Sequence, residues 1–138
     1  MKRLKKATTM ILVVSIAIVF LATSAMADLR TYKQTATAGV YAVTLKLDKK
    51  APVVGDNIAT IEIKDADGKY VLDAKVTVEY SMPGMPGMPP MNYKTNAKQN
   101  AEEFIATMTI PMAGAWNITI KISRGGKTES AKYNVDAK

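Results

Sequence analysis

Four methionines recur at every third position of one short segment and supply the side chains best suited to chemistry in this sequence. They are Met82, Met85, Met88 and Met91, and proline and glycine fill the positions between them. The thioether of methionine is a soft, neutral ligand that selects Cu(I) or Ag(I) over hard cations and binds without losing a proton. The 138-residue chain has no Cys and no His, which excludes disulfides, thiolate zinc sites and imidazole ligation. The segment is therefore a candidate sulfur site for a soft monovalent ion such as Cu(I) or Ag(I).

The backbone of this segment is expected to leave the strand at residues 74–80 as an extended or turning loop, because Pro and Gly exclude a helix. Polyproline II has three residues per turn and would put all four thioethers along one edge. In a straight segment the Met Cα atoms would lie about 9 Å apart, so only two neighbouring side chains could share an ion. Turns at Pro83-Gly84 and Pro86-Gly87 would instead fold the row into a three-sulfur site.

Three residues from a later part of the chain are candidates to complete the site. Met108 and Met112 lie within and at the end of a predicted strand, and Trp116 follows them. Met112 would add a ligand, and the ring face of Trp116 could cap a cation. Alternatively, Met108 and Trp116 pack in the core, because both fall in inward rows. Exposed Met clusters, for their part, also form adaptable docking surfaces. Soft-metal binding and partner docking both stay open for residues 82–91.

Alternation of apolar and polar residues with period two is the dominant pattern after residue 40 and predicts antiparallel strands with one wet face. Six apolar rows follow one another, at residues 41–47, 59–63, 74–80, 104–110, 116–122 and 131–135. The turn signals between rows are Val54-Gly55-Asp56-Asn57, Asp65-Ala66-Asp67-Gly68 and Arg124-Gly125-Gly126-Lys127. We therefore expect an all-β antiparallel sandwich of about seven strands.

Three shorter segments complete the expected fold. Residues 28–38 either add an edge strand or remain loose, and the polar stretch from Asn96 to Glu103 could hold one helical turn. Asp65-Ala66-Asp67-Gly68 resembles the opening of a calcium loop, but Val76 occupies the position where an EF-hand has its bidentate Glu. A hairpin turn is therefore expected there.

The first 27 residues have the pattern of a secretory signal. A positive head at residues 2–6 precedes an apolar run at 10–22, and Ala25-Met26-Ala27 fits the small-x-small cleavage rule. Alternatively, the uncharged residues 7–27 could span a bilayer as an uncleaved anchor that tethers the domain. No Cys follows the apolar run, which excludes a lipoprotein anchor. Either way, residues 28–138 are expected outside the cytoplasm, on the periplasmic or extracellular side of the membrane.

The charge balance and the lack of a catalytic motif argue against two further classes of function. The full chain carries 19 basic and 12 acidic residues. Four of the basic residues lie in the N-terminal segment, which leaves 15 basic residues and a net charge of +3 for residues 28–138. No Lys/Arg cluster is interleaved with aromatic residues, so we exclude nucleic-acid binding. The carboxylates and hydroxyls of the chain do not form a catalytic motif that we can identify, so we do not expect an enzyme.

Four motifs, in their order and spacing, resemble the YtkA-like and FixH-like family of small exported or membrane-tethered domains. Between about Gly39 and Val135 they are Val54-Gly55-Asp56-Asn57, Asp65-Ala66-Asp67-Gly68 followed by Asp73-Ala74-Lys75-Val76, Met82-Pro83-Gly84-Met85-Pro86-Gly87-Met88, and Met112-Ala113-Gly114-Ala115-Trp116. The resemblance implies an immunoglobulin-like fold and an association with copper delivery, heavy-metal efflux or assembly of respiratory oxidases. The elements that match the family are the Met-Pro-x-Met loop and the Met-x-Gly-x-Trp segment.

The residues and the resemblance together predict a signal peptide or anchor at 1–27 and one YtkA-like β-sandwich domain at 28–138. Its expected function is non-enzymatic binding of Cu(I), for transfer or buffering, by Met82, Met85, Met88, Met91 and Met112. The alternative is an interaction module that uses the Met-Pro loop to dock on a membrane or exported partner, such as an oxidase-assembly or metal-efflux component.

Overall fold

The computed structural model describes residues 31–138, and the predicted signal peptide or anchor at 1–27 lies outside them. Nine strands follow one another: β1 (Lys33–Ala38), β2 (Tyr41–Leu47), β3 (Gly55–Lys64), β4 (Lys75–Met82), β5 (Met91–Asn96), β6 (Lys98–Asn100), β7 (Glu103–Ile110), β8 (Gly114–Arg124) and β9 (Lys127–Ala137). All the strand pairs are antiparallel. Within residues 31–138 there is no α-helix, and hence none that could cross a membrane.

The strands form two sheets with the orders β1-β2-β3-β7-β6 and β5-β4-β8-β9. Strands β2 to β9 correspond in chain order to strands A, B, C, C′, D, E, F and G of an immunoglobulin domain. That correspondence puts A-B-E-D in one sheet and C′-C-F-G in the other, as the immunoglobulin fold requires. The predicted immunoglobulin-like sandwich is therefore confirmed, with nine strands where about seven were expected.

The apolar rows predicted from the alternation form the core between the two sheets. Ala59, Ile61 and Ile63 of β3, for example, are almost completely buried, while the residues between them remain partly accessible. Tyr133 on β9 connects the sheets, because its hydroxyl donates a hydrogen bond to the carbonyl oxygen of Val43 on β2. Burial raises the pKa of Tyr133, so the hydroxyl remains a donor.

The additional strands are edge strands. β6 is exposed along its whole length, whereas Met91, Tyr93 and Thr95 of β5 are register partners of buried residues of β4. The helical turn expected at Asn96–Glu103 is wrong, because β6 pairs with β7 through a turn in which Ala101 has a φ of +54°. For residues 28–38 the edge-strand alternative is correct, since β1 begins at Lys33 and pairs with β2.

Two of the three predicted turns are present. At Asp65–Gly68 the Oδ1 atom of Asp65 accepts hydrogen bonds from the backbone N–H groups of Asp67 (2.9 Å) and Lys69 (3.0 Å). This carboxylate thus stabilises its own turn, as the hairpin interpretation predicted. At the β8–β9 connection Gly125 and Gly126 both have positive φ, which is typical of a two-residue type I′ hairpin.

The third predicted turn, Val54–Asn57, is only partly correct, because β3 already begins at Gly55 and Asn57 is a buried strand residue. The Asn57 amide accepts from the Val53 N–H and donates to the Val53 carbonyl, each at 2.8 Å. It also donates to the Gly55 carbonyl at 3.0 Å. One side chain therefore ties the β2–β3 loop to the start of β3.

A small ion network joins three strands of the five-stranded sheet. The Lys46 Nζ atom lies 2.8 Å from Glu103 and 3.3 Å from Glu62, and Lys64 lies 3.3 Å from Glu62. The hydrogen bond to Glu103 is the largest cause of a raised pKa at Lys46. Burial acts to raise the pKa of Glu62, but the hydrogen bonds from Lys64 and Lys46 outweigh it and leave this pKa lowered.

Candidate functional site

The methionine segment is a β-hairpin. β4 runs to Met82 and β5 begins at Met91, and these two residues are register partners. Further out, Met85 and Met88 form an antiparallel bridge, with N–H···O distances of 3.0 and 2.8 Å between their backbones. We call residues 82–91 the methionine hairpin. The expected end of the strand at Tyr80 is therefore wrong, and the segment is a turning structure in place of a straight polyproline II edge.

One two-residue turn closes the hairpin. Pro86 and Gly87 lie between the bridged methionines, and Gly87 has a φ of +81°. Proline presets the first central position of a type II turn, and glycine tolerates the positive φ of the second. The other predicted turn, at Pro83-Gly84, is not formed. A Cβ at Gly84 would lie 3.1 Å from the Cδ atom of Pro90, which packs across the hairpin.

Because of the hairpin register, the four methionines at every third position face each other as two pairs across the hairpin. We call Met85 and Met88 the tip pair, and Met82 and Met91 the root pair. Directly opposed residues of antiparallel strands have Cβ atoms about 4.5–5.5 Å apart. Two sulfurs on opposite sides of one ion are about 4.6 Å apart if each metal–sulfur bond is about 2.3 Å. Each pair is therefore spaced to put two thioethers on one ion.

The two pairs differ in their exposure to solvent. Met85 and Met88 are 47% and 39% exposed, whereas Met82 is 4% exposed and Met91 is partly buried against the core. The pairs are three positions apart along the hairpin, and residues 83–84 and 89–90 between them are not part of a strand. The four sulfurs therefore do not line one edge. The tip pair is open to solvent, and the root pair is held against the sandwich.

Met82 packs over Gly114, the first residue of β8. Its Cε atom lies 2.8 Å from the position that a Cβ at Gly114 would occupy, and Gly114 has a φ of +133°. Glycine satisfies both the backbone conformation and the close methyl. The glycine of the Met-x-Gly-x-Trp segment therefore allows the root of the hairpin to pack closely on the neighbouring strand.

Met112 lies two residues before Gly114, in the turn between β7 and β8. The indole N–H of Trp116 donates to the Met112 carbonyl at 3.0 Å, and the Met112 side chain packs partly buried against the core. Trp116 is completely buried, and its ring lies 6.1 Å from the rings of both Tyr80 and Tyr93. Met108 is also completely buried. The packing alternative is therefore correct for Trp116 and Met108, while Met112 retains partial access to solvent.

The methionine hairpin carries no charged side chain. The nearest charged residues on β4 and β5 are Glu79 and Lys94, which are register partners, and Glu79 also pairs with Lys121 at 2.9 Å. Residues 31–138 contain no group of three or more Cys, His, Asp or Glu side chains that could hold a metal ion. What the methionine hairpin itself offers a metal is uncharged sulfur, which favours a soft ion.

Tyr93 is a residue of the site that sequence reasoning missed. It is the register partner of Tyr80, the two rings stack with centroids 5.4 Å apart, and the Tyr93 side chain is 40% exposed. The sequence does contain a signal for this arrangement. From residue 80 to residue 93, Tyr, Met, Pro and Met occupy mirror-related positions on the two sides of Pro86-Gly87. Such symmetry about a turn-forming dipeptide is compatible with a hairpin and with the pairs that the hairpin brings together.

Comparison with known proteins identifies one family and one solved structure. A family model described as YtkA-like matches residues 22–121, which is more than half of the chain. The crystal structure of the PmoD soluble domain from Methylocystis sp. ATCC 49242 (Rockwell) is similar, with a TM-score of 0.51 and 11% sequence identity. The match covers 75% of this chain and 97% of that domain, and at this identity it supports the fold alone. No curated protein matches the chain.

Proposed function

The chain belongs to the YtkA-like family, and on that premise we propose that it is an exported, non-enzymatic domain that binds Cu(I) through the methionine hairpin. The observation that carries the proposal is the tip pair, in which two half-exposed thioethers are held opposite each other by a hydrogen-bonded turn. The family resemblance supplies the association with copper, and the hairpin supplies ligands of the matching chemistry.

The tip pair is suited to capture and release of the ion. Its backbone is fixed by two hydrogen bonds and by the Pro86-Gly87 turn, so binding orders only the side chains. Its half-exposed sulfurs can be reached by a partner that donates or accepts Cu(I). Neutral sulfurs leave the charge of the ion uncompensated, which favours reversible binding. The proposed role is therefore transfer or buffering of copper outside the cytoplasm, in contact with a membrane or exported partner.

The remaining methionines have different roles in this proposal. Met91 and Met112 are partly buried and partly accessible, and one of them would supply a third sulfur when the ion is retained. Met82 is buried on Gly114 and chiefly fixes the root of the hairpin. Because no thioether has to lose a proton, the Cu(I) affinity is expected to be nearly constant between about pH 5 and 8.

A Cu(I) titration tests the proposal. The full chain, purified in mild detergent, competes with a chromogenic Cu(I) chelator under reducing, oxygen-free conditions. A variant with Met82, Met85, Met88 and Met91 all changed to Leu keeps the apolar surface but loses the sulfur. We expect its affinity to fall by roughly a hundredfold or more, which corresponds to about 2.7 kcal/mol. Met108→Leu is the matched control and should bind as the wild type does, since Met108 is completely buried. Equal affinity of the wild type and the four-Leu variant would refute the proposal.

A second candidate function is docking of a protein partner. β5 is an edge strand with almost no burial, and Met85, Met88 and Tyr93 are exposed apolar residues on or beside it. An edge strand with free backbone groups can pair with a strand of an oxidase-assembly or metal-efflux component. The four-Leu variant separates the two functions, because docking needs the apolar surface and not the sulfur. If neither protein binds Cu(I) and both capture the same partner, docking is the function.

A further inference from the structure

The methionines in and below the hairpin differ strongly in their access to solvent. Met85 and Met88 are 47% and 39% exposed, whereas Met82 is 4% exposed and Met108 is completely buried. All four carry the same thioether, so differences in their reactivity with a dissolved oxidant must come from access. A buried sulfur reacts only when the structure opens locally.

We infer that Met85 and Met88 form a peroxide-sensitive modification site, whose oxidation replaces two thioethers with sulfoxides while the sandwich stays folded. The sulfur lone pair attacks one oxygen of hydrogen peroxide, and an S–O bond forms as the O–O bond breaks. The sulfur loses two electrons and the peroxide is reduced. The proton of the transferred oxygen passes to the released hydroxide, so one sulfoxide and one water result. Methionine sulfoxide is polar and chiral, and reductases can restore the thioether.

The fold can accept this change at the tip of the hairpin. The bridge between Met85 and Met88 consists of backbone hydrogen bonds, which do not involve the sulfurs. A sulfoxide oxygen on either residue would be solvated, because both side chains are exposed. At Met108 the new oxygen would be buried in the core, where a polar group without a hydrogen-bond partner is destabilising. At Met82 it would enter the close contact with Gly114.

The modification has a consequence for metal binding, and this consequence rests on the proposed function. Thioether sulfur is the soft ligand that selects Cu(I), and a sulfoxide presents a harder oxygen in its place. Oxidation of the tip pair would therefore switch off the capture of Cu(I) without loss of the protein. Bound Cu(I) would in turn occupy the same sulfur lone pairs and protect them from peroxide.

Peptide mapping by mass spectrometry tests the inference. The full chain in mild detergent is treated with hydrogen peroxide for increasing times, quenched and digested, and the sulfoxide at each Met is quantified from fragment ions. We expect Met85 and Met88 to react at least tenfold faster than Met82 and Met108 in the folded protein. In urea the four rates should converge. Near-UV circular dichroism and the midpoint of thermal unfolding should not change after the fast phase.

Each outcome bears on a separate part of the inference. Equal rates at Met82 or Met108 in the folded protein, or loss of the near-UV signal with the fast phase, would overturn the modification site. Selective oxidation without at least a tenfold loss of Cu(I) affinity would overturn its role in metal binding. In the double variant Met85→Leu/Met88→Leu, Met82 and Met108 should still oxidise only at their slow wild-type rates. If the untreated protein binds no Cu(I), the proposed function fails, but the selective, fold-preserving oxidation of the tip pair still stands on its own rates.

Discussion

Replacing Gly114 with alanine probes the contact that seats the root of the methionine hairpin. The new Cβ would lie 2.8 Å from the Cε atom of Met82, and the backbone would have to keep φ at +133°. Holding a non-glycine residue in such a sparsely populated conformation costs about 1–3 kcal/mol. Displacing the Met82 methyl adds about 1 kcal/mol, at the low end for overpacking because it ends a flexible side chain. We expect the free energy of unfolding to fall by about 2–4 kcal/mol.

Urea unfolding, followed by the fluorescence of Trp116, measures this loss as a lower midpoint at an unchanged m-value. In thermal unfolding it corresponds to a fall in Tm of roughly 8–16 °C, at about 4 °C per kcal/mol for a domain of this size. Gly126→Ala is the matched control. Gly126 also has a positive φ, but nothing lies within 4 Å of its Cβ position. Only the backbone cost of about 1–2 kcal/mol should remain there.

A double-mutant cycle isolates the steric part of the effect. Met82→Ala removes the methyl that Gly114→Ala would displace, so the cost of Gly114→Ala should be about 1 kcal/mol smaller in that background. An equal cost in both backgrounds would refute the reasoning, because it would show that the Met82 side chain does not constrain residue 114.

Two further substitutions test the interactions that hold the sandwich around the hairpin. Asn57→Ala removes two hydrogen bonds to Val53 in the β2–β3 loop and one to Gly55 at the start of β3. It should cost about 2–4 kcal/mol in urea unfolding, since it leaves the Val53 N–H and carbonyl unpaired. A loss below about 0.5 kcal/mol would show that water replaces the amide. Lys46→Met breaks the ion pairs with Glu62 and Glu103 and should cost about 0.5–1.5 kcal/mol near neutral pH. The pKa of Glu62 is lower in the folded protein than its ordinary value of 4.5. Glu62 therefore contributes fully to the free energy of unfolding above pH 4.5, and this contribution is lost as the pH falls through the folded pKa. The pKa of Lys46 is higher in the folded protein than its ordinary value of 10.5. Lys46 therefore contributes fully to the free energy of unfolding below pH 10.5, and this contribution is lost as the pH rises through the folded pKa. The difference in urea midpoint between wild type and Lys46→Met should therefore shrink at both extremes of pH, and a difference that does not vary with pH would contradict this account.

The core could be predicted from the sequence because burial on one face of a strand leaves a period of two in the residue types. The apolar rows on β2, β3 and β8 could be predicted from this alternation alone, and they are buried in the structure. β5 and β6 left a weaker record, because β6 is exposed throughout and the alternation of Met91, Tyr93 and Thr95 on β5 is short and only partly buried. Their positions are determined by backbone pairing with β4 and β7, to which the side-chain pattern is insensitive.

The ligand types of the candidate site could also be predicted, but their arrangement could not. A period of three fits polyproline II and a symmetric hairpin equally well, and the choice depends on which Pro-Gly pair forms the turn. In the structure Gly87 has the positive φ that the turn requires and Gly84 does not, so Pro86-Gly87 forms the turn. The burial of Met82 depends on Gly114, which lies more than thirty positions later in the chain. Such a contact is set by the sandwich as a whole and is not visible in the local sequence.

X-ray absorption at the copper edge of the Cu(I)-loaded full chain tests the central claim most directly. The account predicts two or three sulfur neighbours at about 2.3 Å around the ion. It also predicts that these sulfurs are lost in the Met85→Leu/Met88→Leu variant and retained in the Met108→Leu control, whose sulfur is buried in the core. A spectrum that contains nitrogen or oxygen neighbours only, or that is the same in the wild type and the Met85→Leu/Met88→Leu variant, would contradict the assignment of Cu(I) to the tip of the methionine hairpin.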